Sequence, residues 1–507
     1  MLLRTLISPL EKATISGSLD IEIDALTADS REAGEGILFA AIRGTSIDGH
    51  RFIQDVIANG CAAILAESAP PQDLPATVRW IYVPDSRAAL AVLATILNGE
   101  PAGNLRLAGV TGTNGKTTTV FLIHHIMKTE WHRAGLLGTI FIDDGETQTP
   151  AKHTTPGSIE LNAILANFRD NACRGAAMEV SSHGIDQKRV HNIAFDAAVF
   201  TNLTQDHLDY HGTIEKYMEA KASWFHALAV NPQGKKPVAV INTDDARGND
   251  LAVALGGKMP VIRYGFNVNC EFRANNFQQK RDGMTFELTV KGKSYLVRAP
   301  LIGRFNAYNL LSAITAASAC GIKPRQAIAT LADSPQVPGR MEYVGNTGGA
   351  TVFVDYAHTP DAIENACSTI KELDPRRLIT VFGCGGDRDK AKRPLMAAAA
   401  ALSSDIVIVT SDNPRSEDPD AIIAETVKGL PKNCNYLAIS DRAEAINAAV
   451  EQALSGDIIL IAGKGHETYQ QFADQTIDFD DRKKARFALR KRAADIAEMR
   501  ENPPERF

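Results

Sequence analysis

The sequence predicts an α/β protein built from three domains with mostly parallel sheets. Its 507 residues correspond to about three domains of ordinary size. Strand-length apolar runs alternate with helical stretches along most of the chain, as they do in doubly wound sheets covered by helices. Polar segments that contain Gly and Pro, at 98–104 and 337–340, interrupt this alternation. We therefore expect a small N-terminal α/β domain (1–100), a central domain (101–337) and a C-terminal Rossmann-like domain (338–507).

The individual elements follow from the spacing of apolar residues. In the N-terminal domain the pattern predicts strands at 36–42, 62–66 and 80–83 and a helix at 86–97. In the central domain it predicts strands at 105–110, 176–180, 196–200 and 237–242, and a helix at 308–317. In the C-terminal domain it predicts strands at 351–354, 378–382, 405–410 and 457–462.

Residues 271–297 differ from the rest of the central domain. Polar and apolar residues alternate there, with turn signals at Asp282-Gly283 and around Gly292. This pattern predicts a small antiparallel element attached to the mostly parallel central sheet.

Composition and charge exclude several classes of protein. A hydrophobic content of 44%, a charged content of 22% and a net charge of −6 are ordinary for globular proteins. Without a polybasic face we expect no nucleic-acid or membrane partner, and the N-terminus lacks the apolar run of a secretion signal. The seven cysteines are scattered and never spaced as CxxC, so we expect neither a disulfide framework nor a zinc site. A cytoplasmic monomer fits these features.

The strongest local signal is a Gly-rich turn between a predicted strand and a predicted helix, in the sequence LAGVTGTNGKTTT that ends at Thr119. Such a turn presents backbone N–H groups and a helix N-terminus to an anion. Lys116 can reach terminal phosphates, and the Thr117 hydroxyl can bind Mg²⁺. The general pattern requires Gly where this chain has Val110, so Gly112 supplies the turn in a compact form. A structural turn is the alternative.

The strand before the turn and the helix after it favour a nucleoside triphosphate site in a P-loop ATPase-like domain. The residues of this predicted ATP-binding loop are Gly112, Thr113, Asn114, Gly115, Lys116, Thr117 and Thr118.

Two further polar clusters follow predicted strands, where open α/β sheets bind their ligands. Glu179 ends one strand, and the segment TNLTQDHLDYH (201–211), which contains His207, follows the next. A carboxylate, an imidazole and the Thr117 hydroxyl could together hold Mg²⁺ beside the phosphates. A helix cap at Glu179 and a structural role for His207 are the alternatives.

These motifs together resemble the Mur ligases, ATP-dependent amide-forming enzymes of bacterial cell-wall precursor synthesis. The resemblance covers nearly the whole chain and rests on the order and spacing of the motifs. They are Gly112–Thr118, Glu179, the segment 201–211, Tyr217-Met-Glu-Ala-Lys221, Gly303-Arg-Phe-Asn306-Ala-Tyr-Asn309 and Asp355-Tyr-Ala-His358.

The resemblance implies roles on the ATP side of the site. It makes Lys116, Glu179, His207 and Lys221 catalytic, with Thr117, Glu179, His207 and Lys221 beside Mg²⁺. In the family the lysine that matches Lys221 is carbamylated by CO₂; an ordinary surface lysine paired with Glu215 or Glu219 is the alternative. Asn306, Arg340 and His358 match residues on the nucleotide side.

The resemblance also implies a UDP-N-acetylmuramoyl-L-alanyl-D-glutamate site. The Asp29-Ser30-Arg31 segment is similar to the uridine-nucleotide-binding domain of the family. The matching substrate positions are Ser30, Thr154, Thr155, Ser181, Gln187 and Arg189. His153 stands where related enzymes have Asn, which leaves its contact open.

The C-terminal motifs imply that the incoming amino acid is meso-diaminopimelate. The residues that match the amino-acid site of the family are Arg388, Asp412, Asn413, Pro414, Arg415, Gly463 and Glu467. Arginine binds a carboxylate with forked hydrogen bonds, and Asp412 or Glu467 can accept from an ammonium group. Lysine lacks the far carboxylate of diaminopimelate and would leave an arginine unpaired. A Pro-containing turn capped by Asp412 is the alternative.

Other functions remain open at this point. A lysine-adding ligase, a later ligase of the same pathway and a folylpolyglutamate synthetase would share the fold. A nucleotide-switched binding protein would need the phosphate loop but no acceptor pocket.

Overall fold

The computed structural model describes residues 1–44 and 47–501, without the side chains of 499–501. Residues 45–46 of the predicted first domain and 502–507 of the predicted third lie outside the described residues. The described chain packs as two compact units. The first comprises Met1–Asn275, Glu287–Val297 and Tyr308–Leu331; the second comprises Asn276–Phe286, Arg298–Ala307 and the chain from Ala332 onward.

The N-terminal part of the first unit contains a small sheet with helices on its faces. Its strands are β1 (Thr14–Ser16), β2 (Ala25–Thr27), β3 (Ile37–Ala40), β4 (Ala63–Ala66) and β5 (Arg79–Tyr82). Its helices are α1 (Leu3–Ile7), α2 (Ile53–Ala58) and α3 (Ser86–Leu97). The sheet order is β1-β5-β4-β3-β2, with β2 to β5 parallel and β1 antiparallel at one edge. Alternate residues of β3 pack into two cores, Leu38 on one face and Phe39 on the other.

The central sheet carries the phosphate loop. Its strands up to residue 265 are β6 (Arg106–Thr111), β7 (Ala134–Leu137), β8 (Phe141–Asp143), β9 (Gln148–Pro150), β10 (Gly175–Glu179), β11 (Ala197–Phe200), β12 (Val238–Asn242) and β13 (Val261–Gly265). The helices are α4 (Lys116–Trp131), α5 (Ser158–Asp170), α6 (Ser182–Asp186), α7 (Leu208–His211), α8 (Ile214–Val230), α9 (Ala246–Leu255), α10 (Arg304–Ala319) and α11 (Pro324–Leu331). The order β13-β12-β11-β6-β10-β7 is parallel throughout, and β8 and β9 continue it antiparallel.

The predicted antiparallel element is confirmed. It consists of β14 (Phe272–Lys280), β15 (Gly283–Val290) and β16 (Lys293–Ala299), which follow one another at the β13 end of the sheet. Connections of two residues join them, a length that permits only antiparallel neighbours.

The second unit contains the C-terminal sheet. Its strands are β17 (Glu342–Thr347), β18 (Ala350–Asp355), β19 (Leu378–Cys384), β20 (Ile406–Ser411), β21 (Tyr436–Ile439), β22 (Ile458–Ala462), β23 (Tyr469–Gln471) and β24 (Thr476–Asp478). Its helices are α12 (Pro360–Lys371), α13 (Lys392–Ser403), α14 (Pro419–Thr426), α15 (Arg442–Gln452) and α16 (Asp481–Glu501). The main sheet has the order β17-β18-β22-β19-β20-β21, antiparallel only at β17, and β23 and β24 form a separate ribbon. Apolar cores fill both of its faces.

The predicted α/β class and mostly parallel sheets are therefore confirmed. Two of the strands that the apolar spacing missed are largely exposed. Every residue of β1 is exposed, and the edge strand β21 is exposed at all but its last residue, so neither shows a buried stretch. The domain boundaries at 100 and 337 stay predictions.

Two expectations from composition can be set beside the structure. The cysteines carry free thiols, and none of them pairs with another. In the described chain no helix combines the length and the apolar character that crossing a lipid bilayer requires.

Candidate functional site

The predicted site motifs of the central domain lie at one edge of its sheet. The phosphate loop follows β6, Glu179 ends β10 and the segment 201–211 follows β11. Because β6 lies between β10 and β11 and all three are parallel, their carboxyl ends are neighbours. The sheet thus brings together motifs that are far apart in the sequence.

Two positions of the phosphate loop have backbone conformations that favour glycine. Gly112 has φ +144° and Gly115, which precedes α4, has φ +85°. A Cβ atom at Gly112 would lie 1.9 Å from the hydroxyl oxygen of Thr201. Val110, at the place where the general pattern has glycine, is instead a fully buried strand residue. Strand β6 continues through Thr111, so the turn begins at Gly112, two residues later than in the general pattern.

A polar segment after β11, residues 201–204, holds the loop in shape. The N–H of Thr113 donates to the Asn202 carbonyl (2.9 Å), and the N–H of Asn114 donates to the Asn202 side-chain oxygen (3.0 Å). The Thr201 hydroxyl donates to the Asn114 carbonyl (2.6 Å), and the N–H of Thr204 donates to the Thr113 hydroxyl (3.0 Å). Sequence reasoning assigned this segment to the metal side and missed its role as a support.

The side-chain nitrogens of two lysines meet at the loop. Nζ of Lys116 donates to the carbonyls of Gly112 (2.9 Å) and Thr113 (2.8 Å), and Nζ of Lys221 donates to the same Gly112 carbonyl (2.9 Å). Lys221 is only 1% exposed, and its Nζ lies 4.3 Å from the ring centre of Tyr217. Burial, together with the charge of Lys116, holds the pKa of Lys221 well below its ordinary value. The alternative of a surface lysine paired with glutamate is therefore wrong.

Glu179 is buried beside the predicted dipeptide residues. Its carboxylate accepts from the N–H of Thr139 (2.8 Å) and from the Thr139 hydroxyl (3.2 Å). The Thr139 hydroxyl in turn lies 3.0 Å from that of Thr154. Thr139 thus links the predicted metal and dipeptide residues, and nothing in its local sequence indicated this.

His207 belongs to a group of imidazole and phenol rings. Its backbone is left-handed (φ 52°), and its ring centre lies 5.0 Å from that of His183. The ring centre of His183 lies 4.1 Å from that of Tyr210 and 5.6 Å from that of His211. Burial lowers the pKa of all three histidines, so they favour the neutral form, which has a lone pair for a metal or a proton.

The predicted dipeptide residues of the central domain are brought together as a hydrogen-bonded group. The Thr155 hydroxyl donates to the Glu179 carbonyl (2.9 Å) and accepts from the N–H of Ser181 (3.0 Å). Arg189 donates to the Thr155 carbonyl (2.7 Å) and to the side-chain oxygen of Gln187 (2.7 Å). Ser181 also caps α6. This arrangement fixes one guanidinium group at the site, ready for an anionic ligand.

A second arginine, Arg87, was not predicted and lies close enough to affect the pKa of Arg189. Burial, and after it the positive charge of Arg87, lower the pKa of Arg189. Arg87 lies near the start of α3 and donates to the Arg43 carbonyl (2.8 Å). Two like charges held in proximity are typical of a site for an anion.

Ser30, the predicted substrate residue of the first domain, lies in a turn capped by Asp29. The Asp29 carboxylate accepts from the N–H of Arg31 (3.0 Å). Ser30 is half-buried, whereas His153, beside Thr154, is exposed. The Arg31 side chain lowers the pKa of Asp29 to about 2.

The second unit holds the motifs predicted for the incoming amino acid. They follow β19, β20 and β22, neighbouring parallel strands that all end at the same edge. Asn413 is buried, and its amide donates to Glu467 (3.0 Å). Its oxygen accepts from Nζ of Lys464 (2.9 Å) and from the N–H of Gln471 (2.9 Å). Lys464 lies between the predicted site residues Gly463 and Glu467, but the sequence indicated no role for it.

Arg415 is anchored on the neighbouring loop. Its Nη1 donates to the Gly386 carbonyl (2.7 Å), and its backbone is left-handed (φ 52°). Pro414 is buried before it, and Arg388 is exposed on the loop that follows β19. Gly463 has φ +116° and begins the segment that leads to Glu467.

A buried ion pair holds together two of the strand ends at this edge. Arg442 donates to both carboxylate oxygens of Asp481 (2.8 and 2.7 Å), and both side chains are fully buried. Arg442 also donates to the carbonyls of Ser411 (3.3 Å) and Ala462 (2.9 Å), the last residues of β20 and β22. It thereby fixes the two strand ends from which the acceptor motifs start.

We expect Asp481→Asn to lower the free energy of unfolding by about 3–5 kcal/mol, because it leaves a buried guanidinium without its counter-charge. Urea unfolding of the purified full chain measures this, with the exposed Asp474→Asn as control. A loss below about 1 kcal/mol, the range of exposed pairs, would contradict the assigned role of the pair.

Arg340 and His358, two of the predicted nucleotide-side residues of the second unit, both lie beside Tyr356. The Arg340 guanidinium lies 4.8 Å from the ring centre of Tyr356, and Nδ1 of the exposed His358 donates to the Tyr356 carbonyl (2.8 Å). Asn306 is buried and donates to the Ile302 carbonyl (2.8 Å). Burial raises the pKa of Asp355, opposed by the charges of Arg340 and His358.

The donor set near the phosphate loop fits Mg²⁺. Within the described chain no group of three or more His, Cys, Asp and Glu side chains is placed to hold a metal ion. Mg²⁺, however, is usually bound by one or two carboxylates together with substrate phosphates and water, not by a cage of protein ligands. Glu179, Thr117 and neutral His207 supply such a partial set.

Comparisons with known proteins identify the family. A family model described as Mur ligase family, catalytic domain, matches residues 22–96, one described as Mur ligase middle domain matches 110–317, and one described as Mur ligase, glutamate ligase domain, matches 339–465. A UDP-N-acetylmuramoyl-L-alanyl-D-glutamate–2,6-diaminopimelate ligase from Geobacillus kaustophilus is 43% identical over 494 residues, 97% of this chain and 100% of that protein. The chain belongs to the Mur ligase family.

Solved structures agree with the assignment of this chain to the Mur ligase family. The structure of a UDP-N-acetylmuramoyl-L-alanyl-D-glutamate–2,6-diaminopimelate ligase is 32% identical, has a TM-score of 0.72, and covers 97% of this chain and 99% of that one. A Mycobacterium tuberculosis folylpolyglutamate synthase complexed with ADP and AMPPCP is 21% identical with a TM-score of 0.60. That match covers 75% of this chain and 92% of the synthase, and it shows a shared fold alone.

Proposed function

We propose that this Mur ligase uses ATP to join meso-diaminopimelate to UDP-N-acetylmuramoyl-L-alanyl-D-glutamate in peptidoglycan precursor synthesis. The observation that carries the proposal is the set of Arg415, Asp412 and Glu467 at one sheet edge, in a chain 43% identical over nearly its full length to a 2,6-diaminopimelate ligase. An arginine beside carboxylates suits the carboxylate and ammonium groups at the far end of diaminopimelate.

The reaction has two steps. The γ-phosphoryl group of ATP passes to a carboxylate of the dipeptide, which yields an acyl phosphate and ADP. The amine of diaminopimelate then attacks the acyl carbon and loses a proton, and inorganic phosphate leaves with the electrons of the C–O bond as the amide forms. Transfer between two anions depends on charge neutralisation more than on proton chemistry.

The loop lysine supplies part of that neutralisation. Lys116 lies over the loop, bonded to two of its carbonyls, and is expected to turn toward the phosphates when ATP binds. Thr117, Glu179 and His207 would hold Mg²⁺, which supplies further positive charge when bound.

Lys221 presents a different charge problem. A second ammonium group that shares the Gly112 carbonyl with Lys116 would repel both Lys116 and a metal ion. Because its pKa is strongly lowered, the amine is available in its neutral form. Neutral amine adds to CO₂ to give a carbamate and a proton, which turns the buried neutral amine into an anion. We assign this carbamate to Lys221.

The dipeptide side of the site orients the carboxylate to be activated. Arg189 is held by Gln187 and the Thr155 carbonyl, so its guanidinium is fixed before substrate arrives. Thr154 is joined through Thr139 to Glu179, which couples the position of the dipeptide to the metal side. Ser30 is proposed to contact the uridine nucleotide.

Phosphate release tests the proposal. Purified chain is given ATP alone, ATP with the UDP-dipeptide, and both together with either meso-diaminopimelate or L-lysine. We expect release only with all three components and a preference for diaminopimelate of at least about 100-fold, since lysine leaves a site arginine unpaired. Release with ATP alone would favour a nucleotide-switched binding protein, and equal rates with lysine would refute the acceptor assignment.

A further inference from the structure

A buried ammonium group connects the two acceptor loops of the second unit. Lys464 is fully buried, and its Nζ donates to the Asn413 side-chain oxygen (2.9 Å) and to the Tyr469 carbonyl (2.8 Å). The same nitrogen lies 3.2 Å from a carboxylate oxygen of Asp412 and 3.5 Å from one of Glu467. Every one of these partners is an oxygen, so the ammonium group is surrounded by acceptors.

Lys464 lies just after β22 and connects the loop after that strand with the loop after β20. Asp412 follows β20 and Glu467 follows β22, and β19 lies between these two strands. The two loops therefore do not follow directly paired strands, and their backbones meet only further along, where the N–H of Arg415 donates to the Gln471 carbonyl (3.0 Å). Nζ of Lys464 reaches both loops, and the Asn413–Glu467 hydrogen bond (3.0 Å) closes the group.

The charges of this group match an ammonium ligand. Asp412 and Glu467 together carry two negative charges when ionised, and Lys464 offsets one of them. The remaining negative charge would be paired by one ammonium group of the acceptor. A buried pair of carboxylates without Lys464 would repel each other and favour protonation of one.

We propose that Lys464 is the positioning residue of the acceptor site, which holds Asp412 and Glu467 side by side and so sets the preference for an amino acid with a far ammonium group. The inference rests on the proposed function. Lys464 itself is buried beneath these side chains and acts through them, since no part of its side chain is exposed.

The titration of Glu467 gives the proposal a distinctive readout. Burial and the charge of Asp412 raise its pKa, and Lys464 opposes that rise. The other groups that interact with Glu467 are Tyr356, Tyr469 and Arg442. Because only ionised Glu467 pairs with an ammonium, acceptor binding is lost as pH falls through this raised pKa. Removal of Lys464 raises the pKa further, so the loss begins at a higher pH.

The test compares Lys464→Met with the unaltered protein in the full chain. We expect KM for meso-diaminopimelate to rise at least about 10-fold, with KM for ATP and for the UDP-dipeptide unchanged, because only the acceptor loops lose their link. The acid limb of kcat/KM for diaminopimelate should move to higher pH. Lys464→Arg, which keeps the charge, should restore part of the affinity, and the exposed Lys432→Met is the matched control.

The outcomes separate the proposal from its foundation. If the unaltered protein does not use diaminopimelate, the proposed function fails. If it does, and Lys464→Met leaves KM and the acid limb unchanged or shifts all three KM values together, the positioning role is overturned. Should Lys464→Met not fold, the double variant Lys464→Met/Glu467→Gln removes the unpaired carboxylate, and an unchanged KM for diaminopimelate in that variant likewise refutes the role.

Discussion

Lys221→Ala is expected to reduce phosphate release by about 100- to 1,000-fold, the loss typical of removing one preorganised charged group from a reacting centre. The physical reason is that the amine beside Lys116 is the group that we propose CO₂ converts to an anion. Short carboxylic acids such as acetate should restore part of the activity, because the side chain of Ala leaves room for a carboxylate at the buried position. The measurement is the steady-state rate with all substrates present, with and without added acetate.

Lys216→Ala provides the matched control, since Lys216 lies on the same helix, α8, but is exposed. It should retain the activity and the acetate response of the unaltered protein. Full activity of Lys221→Ala would sink the carbamate assignment. Loss of activity without any recovery in acetate would instead assign Lys221 to the support of the loop carbonyl at Gly112.

Arg415→Met is expected to lower kcat/KM for meso-diaminopimelate by about 100-fold, since a hydrogen-bonded charge pair is worth about 2–5 kcal/mol when one partner is removed. The rate with L-lysine, which has no far carboxylate, should change much less. The variant should therefore lose selectivity as well as activity. Phosphate release with each amino acid over a range of concentrations measures both quantities.

Arg298→Met is the control for this variant, because Arg298 is an exposed arginine of the same unit. Arg415→Lys adds a second comparison, since it keeps the charge but loses the forked geometry and should recover only part of the rate. Equal losses with diaminopimelate and L-lysine would mean that Arg415 supports the Gly386 loop and does not read the far carboxylate.

Much of the candidate site could be predicted from sequence because it consists of loops that follow apolar strands. The strand before Gly112, the strand that ends at Glu179 and those before Asp412 and Gly463 are buried runs, and the apolar spacing located them within one or two residues. In a parallel sheet the carboxyl ends of neighbouring strands share one edge, so the motifs at those ends come together.

The supporting residues could not be predicted in the same way. Thr139, Asn202 and Arg442 act through hydrogen bonds to partners 40, 88 and 39 positions away. Threonine, asparagine and arginine are common on loops and helices, and their local sequence carries no sign of a distant partner. Only the packing of the strands decides which of them faces the site.

The sequence by itself determined the α/β class and the Gly-rich loop, and it predicts the set of site residues, because apolar periodicity and turn composition are local properties of the chain. The tertiary structure decided the electrostatic state of that set. Lys221 and Lys464 are both lysines in or beside predicted site motifs, and their local sequence does not show that their charge states differ. Folding buries one beside a second lysine, so that burial and the charge of that lysine lower its pKa, and it places the other among carboxylate and carbonyl oxygens, which pair it. The energy of a buried charge depends on its neighbours in space, and those neighbours are fixed only when the sheets form.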